Sequence, residues 1–179
     1  MCTDLIDDVG DKARRVFLYQ QPETHLAVLL AGANVEIDLR GFAQLRHKRA
    51  TRHFELGPLS EMGLGPLAAL TWLCEAGAAE RARREVSFFD FDDFLADPPA
   101  ALMSIGAALG FDVAREKAEK AATGPLMKTY SKAPEHPYDA GLRHKIIAQA
   151  KAERTEEIKN GMQWLLRASP AAIKRSPRC

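Results

Sequence analysis

One stretch, from Arg84 to Phe111 (REVSFFDFDDFLADPPAALMSIGAALGF), constrains the fold more than any other part of the chain. Its first part, Glu85 to Phe91, is short, aromatic and apolar, which predicts a mostly buried β-strand. Asp97-Pro98 predicts a helix start, because the aspartate accepts hydrogen bonds from early N–H groups and proline fits the first helical position. Gly110 predicts the end of that helix. Between strand and helix we expect an acidic loop with Asp90, Asp92 and Asp93.

The same order of elements recurs near the N-terminus. Val16 to Tyr19 is a continuous apolar run that predicts a buried strand. The polar segment Gln20-Gln21 ends the strand, and Pro22 is well placed to open a helix. Residues His25 to Ala31 are apolar and compatible with that helix. Two strand–turn–helix units separated along the chain predict an α/β fold.

The remaining segments are mainly helical in pattern. Val35, Ile37 and Leu39 alternate with charged residues, which favours a half-exposed strand, with a short helix as the competing interpretation. Trp72 and Trp164 are predicted as core or interface anchors. Further predictions are helices over Leu67–Ala82 and Ala114–Ala122, an extended loop over Gly124–Tyr138, and one or two helices over Asp139–Arg167.

Length and composition predict a soluble, cytoplasmic protein. The chain has 179 residues, 46% hydrophobic and 27% charged, which suggests one domain over residues 1–168 and a basic, mobile tail over 169–179. The net charge of +1 gives no argument for nucleic acid or a membrane surface, and no apolar run approaches a bilayer span. The acidic N-terminus does not resemble a signal peptide. The cysteines are odd in number and predict reduced thiols.

Three segments, taken together, resemble the C-terminal part of the sulfotransferase family, in its bacterial sulfotransferase-like branch. RRVFLYQQPETHLAVLL resembles the family's strand, Arg-x-Pro turn and helix around the donor's 3′-phosphate. FFDFDDFLADPPAALMSIGAALGF resembles its later strand, acidic loop and Asp-Pro helix. TYSKAPEHPYDAGLRHKIIAQAKAERTEEIKNGMQWL resembles the C-terminal region of that branch. The three segments follow in the family's order and span Ala13 to Leu166.

The resemblance implies a partial P-loop-like three-layer fold with a small parallel sheet and predominantly helical content. It also implies sulfuryl transfer from phosphoadenosine phosphosulfate to a hydroxyl or amine acceptor, with Gln20 and Gln21 at the donor's 3′-phosphate. The family's arginine falls on Gln20 and its serine on Val28, so the charge-assisted contact to phosphate is lost. No phosphosulfate loop precedes Val16, so we expect this chain alone to be incomplete or inactive.

A second polar group lies near the C-terminus. Tyr130 and Lys132 sit in a proline-bearing loop, and Arg143 follows where a helix opens. This loop could close over an anionic cofactor, and we therefore include these three residues with Gln20 and Gln21 as candidate cofactor-binding residues. In the alternative interpretation Tyr130 and Tyr138 fix the loop to the core while the lysine stays in solvent.

Other polar clusters favour structural interpretations. The Lys128-Thr129 pair lacks the preceding glycine and the strand-to-helix setting of a phosphate loop. The aspartates of the acidic loop could bind a hard cation, but helix capping accounts for them more simply, and we predict no metal site. The basic run from Arg46 to His53 is expected to be a solvated face. No histidine can be assigned as a catalytic base, so the catalytic residues stay unknown.

Two further functional hypotheses remain beside the enzyme. The chain could be a non-catalytic binding or assembly module derived from a sulfotransferase fold. Such a half-fold exposes a sheet edge, which self-association or a partner subunit would cover. The least supported alternative is an anion- or nucleic-acid-binding module that uses the basic run from Arg46 to His53.

Overall fold

The computed structural model describes residues 14–81, 86–130, 133–137 and 140–170. Within them the chain is mostly helical, with a two-stranded parallel sheet and a separate two-stranded antiparallel sheet. The predicted α/β class is confirmed at this coarse level. The predicted tail is described only at Ser169 and Pro170, and its remainder lies outside the described residues, as does the N-terminal segment before Arg14.

The strands are β1 (Arg15–Tyr19), β2 (Val86–Asp90), β3 (Thr129–Tyr130) and β4 (Ala133–Pro137). Short 3₁₀ turns lie at Leu59–Glu61 and Pro125–Met127. None of the helices in the described ranges is both long and apolar enough to cross a bilayer. These helices are α1 (Pro22–Leu30), α2 (Val35–Gly41), α3 (Ala43–Ala50), α4 (Leu64–Arg81), α5 (Phe91–Ala96), α6 (Pro98–Leu109), α7 (Arg115–Ala122), α8 (Ala140–Glu153) and α9 (Thr155–Ala168).

Contacts divide the chain into two compact units. The first contains the described residues up to Gln20 and those from Val86 to His144. The second contains Gln21 to Arg81 and the described residues from Lys145 onward. The prediction of one domain over residues 1–168 stays a prediction.

The first unit is built on the parallel pair of β1 and β2. Arg15 lies opposite Val86 and Tyr19 opposite Asp90, so the two predicted strands run side by side over their whole length. The Phe88 ring packs edge-on against Phe17, with ring centroids 5.8 Å apart. Cross-strand aromatic contacts of this kind stabilise a strand pair beyond its backbone hydrogen bonds. Both strands are therefore confirmed, but their predicted burial is wrong: β1 and β2 are mostly half-buried, and Leu18 is exposed.

Helix α6 begins and ends as its sequence predicts. Asp97 Oδ1 accepts a hydrogen bond from the Ala100 N–H at 3.1 Å, and Pro98 takes the first helical position. At the other end Gly110 has φ of 87°, a left-handed conformation that favours glycine. The Phe111 N–H then reaches back to the Gly106 carbonyl at 2.8 Å, which satisfies a carbonyl of the last turn.

The second unit has its core around α4. Every residue from Leu67 to Leu73 is buried, as expected of a helix that other elements cover on all sides. The Thr71 hydroxyl is satisfied within the helix by the Leu67 carbonyl at 3.2 Å. Leu26 and Leu30 of α1 and Leu165 of α9 complete this core. Trp72 is buried and Trp164 packs against the same cluster, so both predicted anchors are confirmed.

Two glycines let α4 and α9 approach each other closely. A Cβ atom on Gly161 would lie only 2.6 Å from the Gly65 carbonyl oxygen and would also strike the Leu26 side chain. A Cβ atom on Gly65 would collide with the carbonyl group of Glu157. Any larger residue at either position therefore has to push two helices apart.

The predicted strand at Val35, Ile37 and Leu39 is wrong, and the competing helix is correct. These residues form α2, in which Val35 and Leu39 are buried while Ile37 is 74% exposed. Residues four apart share one face of a helix, so two of the three alternating apolar residues suffice to cover the core. A three-member alternation fits a helix as well as a strand.

Two predicted loops are also corrected. The acidic loop is helix α5 (Phe91–Ala96), because Asp90 caps a helix start directly at the end of β2. The extended loop over Gly124–Tyr138 contains the 3₁₀ turn at Pro125–Met127 and the antiparallel pair of β3 and β4. The prolines of β4, Pro134 and Pro137, lie in a short strand with an irregular pairing to β3, where a missing N–H is tolerated. The predicted final helical region is two helices, which meet at Arg154.

Candidate functional site

The carboxyl end of β2 carries a compact group of charged and aromatic side chains. Asp90, the last residue of β2, accepts a hydrogen bond from the Asp92 N–H at 2.8 Å through Oδ1. This contact caps α5 and turns the chain directly from strand into helix. Phe91 and Phe94 then stack with centroids 6.0 Å apart and planes 8° apart. The strand end is thus joined directly to the helix that follows it.

Arg143, a predicted cofactor-binding residue, belongs to this group. Its Nη2 atom lies 2.7 Å from Asp92 Oδ1, in an ion pair whose N–H groups are not aligned for a hydrogen bond. Its guanidinium carbon lies 5.4 Å from the centroid of the Phe91 ring, within the range of a cation–π contact. The Arg143 side chain is only 12% exposed, against 38% for Asp92. The arginine is therefore held on one side by a carboxylate and on another by a ring.

This arrangement sets what Arg143 can do chemically. Because Asp92 already neutralises its charge, an anionic ligand has to compete with a carboxylate for the guanidinium. Asp90, Asp92 and Asp93 follow each other closely and make this end of β2 acidic. Arg143 thus holds the first residues of α8, up to His144, against α5 within the first unit.

The other predicted site residues are spread along the chain. Gln20 directly follows β1, and Gln21 precedes α1, where its carbonyl accepts from the His25 N–H at 2.9 Å. The Gln21 side chain does not cap the helix. Tyr130 ends β3, and its side chain is outside what the structure describes. Lys132 lies outside the described residues. The placement of Gln20, Gln21, Tyr130 and Lys132 as one site with Arg143 stays a prediction.

A second pair of polar side chains lies inside the second unit. His25 Nε2 on α1 and Arg46 Nη1 on α3 are both buried, and neither has a hydrogen-bond partner within the described residues. Burial of the imidazole, with a smaller contribution from the Arg46 charge, lowers the pKa of His25 to about 4. The imidazole is therefore neutral at neutral pH and is too weak a base to accept a proton there.

The basic run from Arg46 to His53 lies on α3 and the turn after it. Lys48 and Arg49 are exposed, which agrees with the predicted solvated face. Arg46 does not belong to a fully solvated face. Its guanidinium carbon lies 5.4 Å from the centroid of the Phe42 ring, and its Nη1 atom is buried. His47 is also engaged, since its Nε2 lies 2.9 Å from the Gly57 carbonyl oxygen.

Potential metal and thiol chemistry is limited in the part of the chain that is described. There, no three His, Cys, Asp or Glu side chains converge as a metal ion would require. Cys74 is in no disulfide, and its Sγ donates a hydrogen bond to the Arg46 carbonyl oxygen at 3.5 Å. It is partly buried between α3 and α4, where it packs as a small apolar residue.

Two of these groupings were not apparent from sequence. Asp92 and Arg143 are 51 positions apart, and no local pattern links an acidic segment to a distant arginine. The pairing of His25 with Arg46 had a weak signal, since His25 stands at the head of the apolar run HLAVLL. A histidine at that place in an amphipathic helix faces the core or its border.

Comparison of the chain with protein-family models, with curated proteins and with solved structures finds no match.

Proposed function

We propose that this chain is a sulfotransferase-like protein with a P-loop-like three-layer fold that handles phosphoadenosine phosphosulfate and weakly engages the donor. The observation that carries the proposal is the parallel pairing of β1 with β2, each followed directly by a helix start. In the resemblance, β1 and the turn at Gln20-Gln21 correspond to the strand and turn that hold the donor's 3′-phosphate, and β2 corresponds to the family's later strand. The reaction would pass a sulfuryl group to a hydroxyl or amine acceptor.

The chemistry of the turn explains why the engagement would be weak. Sulfuryl transfer depends on positioning the donor and on stabilising the charge of the leaving phosphate. Gln20 offers neutral hydrogen bonds in place of a guanidinium fork, and such bonds are roughly half as strong as charge-assisted ones. Val28 is exposed on α1 and offers none. The site would therefore accept the nucleotide without holding it tightly.

Calorimetric titration with 3′-phosphoadenosine 5′-phosphate tests this proposal. We expect binding weaker than micromolar for the unaltered chain, and a gain of about tenfold for the Gln20→Arg, Val28→Ser double variant, because the variant restores a charged and a hydroxyl contact. The matched control is Gln44→Arg, Ile37→Ser, which adds the same charge and the same hydroxyl at exposed positions on α3 and α2. No gain over that control would remove the phosphate assignment.

A non-catalytic assembly module is the second candidate, and a specific feature favours it. In the described part of the chain, β1 and β2 pair only with each other, so each strand has one unpaired edge. Leu18 on β1 is 42% exposed. An uncovered edge with an exposed apolar residue favours pairing with a second chain. Sedimentation velocity should then show a dimer that Leu18→Lys dissociates, whereas a monomer at all concentrations would reject this candidate.

A further inference from the structure

A cavity of about 340 Å³ lies within the second unit, between the segment that follows α3 and the end of α9. One wall is the segment from Glu55 to Met62, which follows α3 and contains a 3₁₀ turn. The opposite wall comes from the last turns of α9. Leu56, Met62 and Trp164 supply apolar surface, and Pro58 and Pro66 stiffen the walls. The volume falls in the range of small-molecule sites.

Three charged side chains line the same cavity. Glu55 and Glu61 belong to the loop wall, and Arg167 belongs to α9. All three are exposed, and none takes part in an ion pair with another described residue. The two carboxylates are therefore separated from the guanidinium by more than ion-pair distance. Their charges sum to one negative unit at a half-open cavity whose lining is more polar than apolar and includes the Trp164 side chain.

We propose that this cavity binds a small organic amine, with its apolar body against Trp164 and its ammonium group at Glu55 and Glu61. An ammonium group gains from two carboxylates and from the face of an indole ring. Burial of the apolar body against leucine, methionine and tryptophan supplies the remaining affinity. Arg167 excludes a second cation from its side of the cavity and so orients the ligand. The inference is independent of the proposed sulfuryl chemistry.

Two probes with one aromatic body and opposite charges test the charge selectivity. Phenethylamine should bind and change the tryptophan fluorescence. The change should come from Trp164, which lines the cavity, because Trp72 is buried in the core and does not line it. 3-Phenylpropionate should bind about tenfold more weakly, because Glu55 and Glu61 repel its carboxylate and attract the ammonium group of the amine. Equal binding of the two probes, tighter binding of the acid, or no binding of the amine at millimolar concentration would overturn the proposal.

Matched variants locate the site. Glu55→Gln, Glu61→Gln removes both charges without changing side-chain size and should weaken phenethylamine about tenfold. Glu36→Gln, Asp38→Asn removes two exposed carboxylates on α2 and should leave the affinity unchanged. Trp164→Phe should abolish most of the fluorescence response while calorimetry still detects binding. Equal affinities in the two double variants would show general charge attraction only and would reject the site.

Discussion

The two compact units of the chain bury their side chains in different ways. In the second unit α1, α4 and α9 share a continuous apolar core with leucines at or near zero exposure. In the first unit β1 and β2 are mostly half-buried, and only Tyr19, Gly106 and Ala118 are buried among the residues whose burial is described. The second unit relies on close packing, and the first on capped helix ends, aromatic pairs and an ion pair.

Because of this difference, the two units should respond to different kinds of substitution. A close-packed core responds to added or lost volume because neighbouring atoms cannot move far. A half-buried framework responds to lost charge and lost hydrogen bonds, since its polar groups depend on one another. Both settings contain a partly buried arginine. Arg143 faces a carboxylate, whereas Arg46 lies beside a histidine whose ionisation it opposes.

The largest expected effect is overpacking at the α4–α9 contact. Gly161→Ala should lower the free energy of unfolding by about 3 kcal/mol, because the new methyl meets the Gly65 carbonyl and the Leu26 side chain. Gly41→Ala is the matched control, since a Cβ there has nothing within 4 Å. We expect it to be neutral or slightly stabilising. Urea unfolding followed by far-ultraviolet circular dichroism measures both, and equal values would contradict the close approach.

Acid sensitivity of the second unit should come next in size. The pKa of His25 is about 4 in the folded chain against 6.5 as its ordinary value, so the folded state favours the neutral imidazole. The unfolded chain protonates His25 near pH 6.5, whereas the folded chain resists protonation until about pH 4. The free energy of unfolding is therefore at its full value above pH 6.5 and decreases as the pH falls from 6.5 toward 4. Between pH 7 and pH 5 this amounts to about 2 kcal/mol of unfolding free energy. His25→Gln should remove that loss, as measured by urea unfolding at each pH.

Two further variants sharpen the assignment to His25. Arg46→Met should reduce the acid loss without abolishing it, because burial is the larger cause of the lowered pKa and the arginine charge the smaller. His144→Gln alters an exposed histidine of the first unit and should keep the whole loss. An unchanged acid loss in His25→Gln would show that another group carries it.

The smallest expected effect is the coupling between Arg143 and Asp92. A double-mutant cycle of Arg143→Met and Asp92→Asn should give a coupling free energy of about 1 kcal/mol, because the pair is only partly buried and solvent screens it. The exposed Arg40–Glu36 pair on α2 should show a far smaller coupling. Thermal unfolding of the four chains in each cycle provides the values, and equal couplings would contradict a structural role for Arg143.

Local signals in the sequence predicted much of the fold. Helix α6 was predictable because its aspartate cap, first-turn proline and terminal glycine each act within a few residues. The apolar runs of β1, β2 and α4 are local signals of the same kind. The errors arose where one pattern fits two structures. Three alternating apolar residues cannot distinguish a strand from α2, and the aspartates after Phe89 suit a capped helix as well as a loop.

The site was less predictable, because its contacts join distant segments. Arg143 was selected for its charge beside a helix start, but its partner Asp92 lies in an element read as a loop. The cavity at Trp164 combines a turn after α3 with the end of α9, and neither segment carries a recognisable motif. Contacts of this kind depend on how helices pack, which periodicity alone does not determine.

The most direct test of the proposed function maps where the donor nucleotide touches the chain. Two-dimensional ¹H–¹⁵N NMR during titration with 3′-phosphoadenosine 5′-phosphate reports each backbone amide separately. The account predicts the largest shift changes at Gln20, Gln21 and Glu23, where β1 ends and α1 begins. Shift changes confined to the basic face at Lys48 and Arg49, or none at saturating nucleotide, would contradict it.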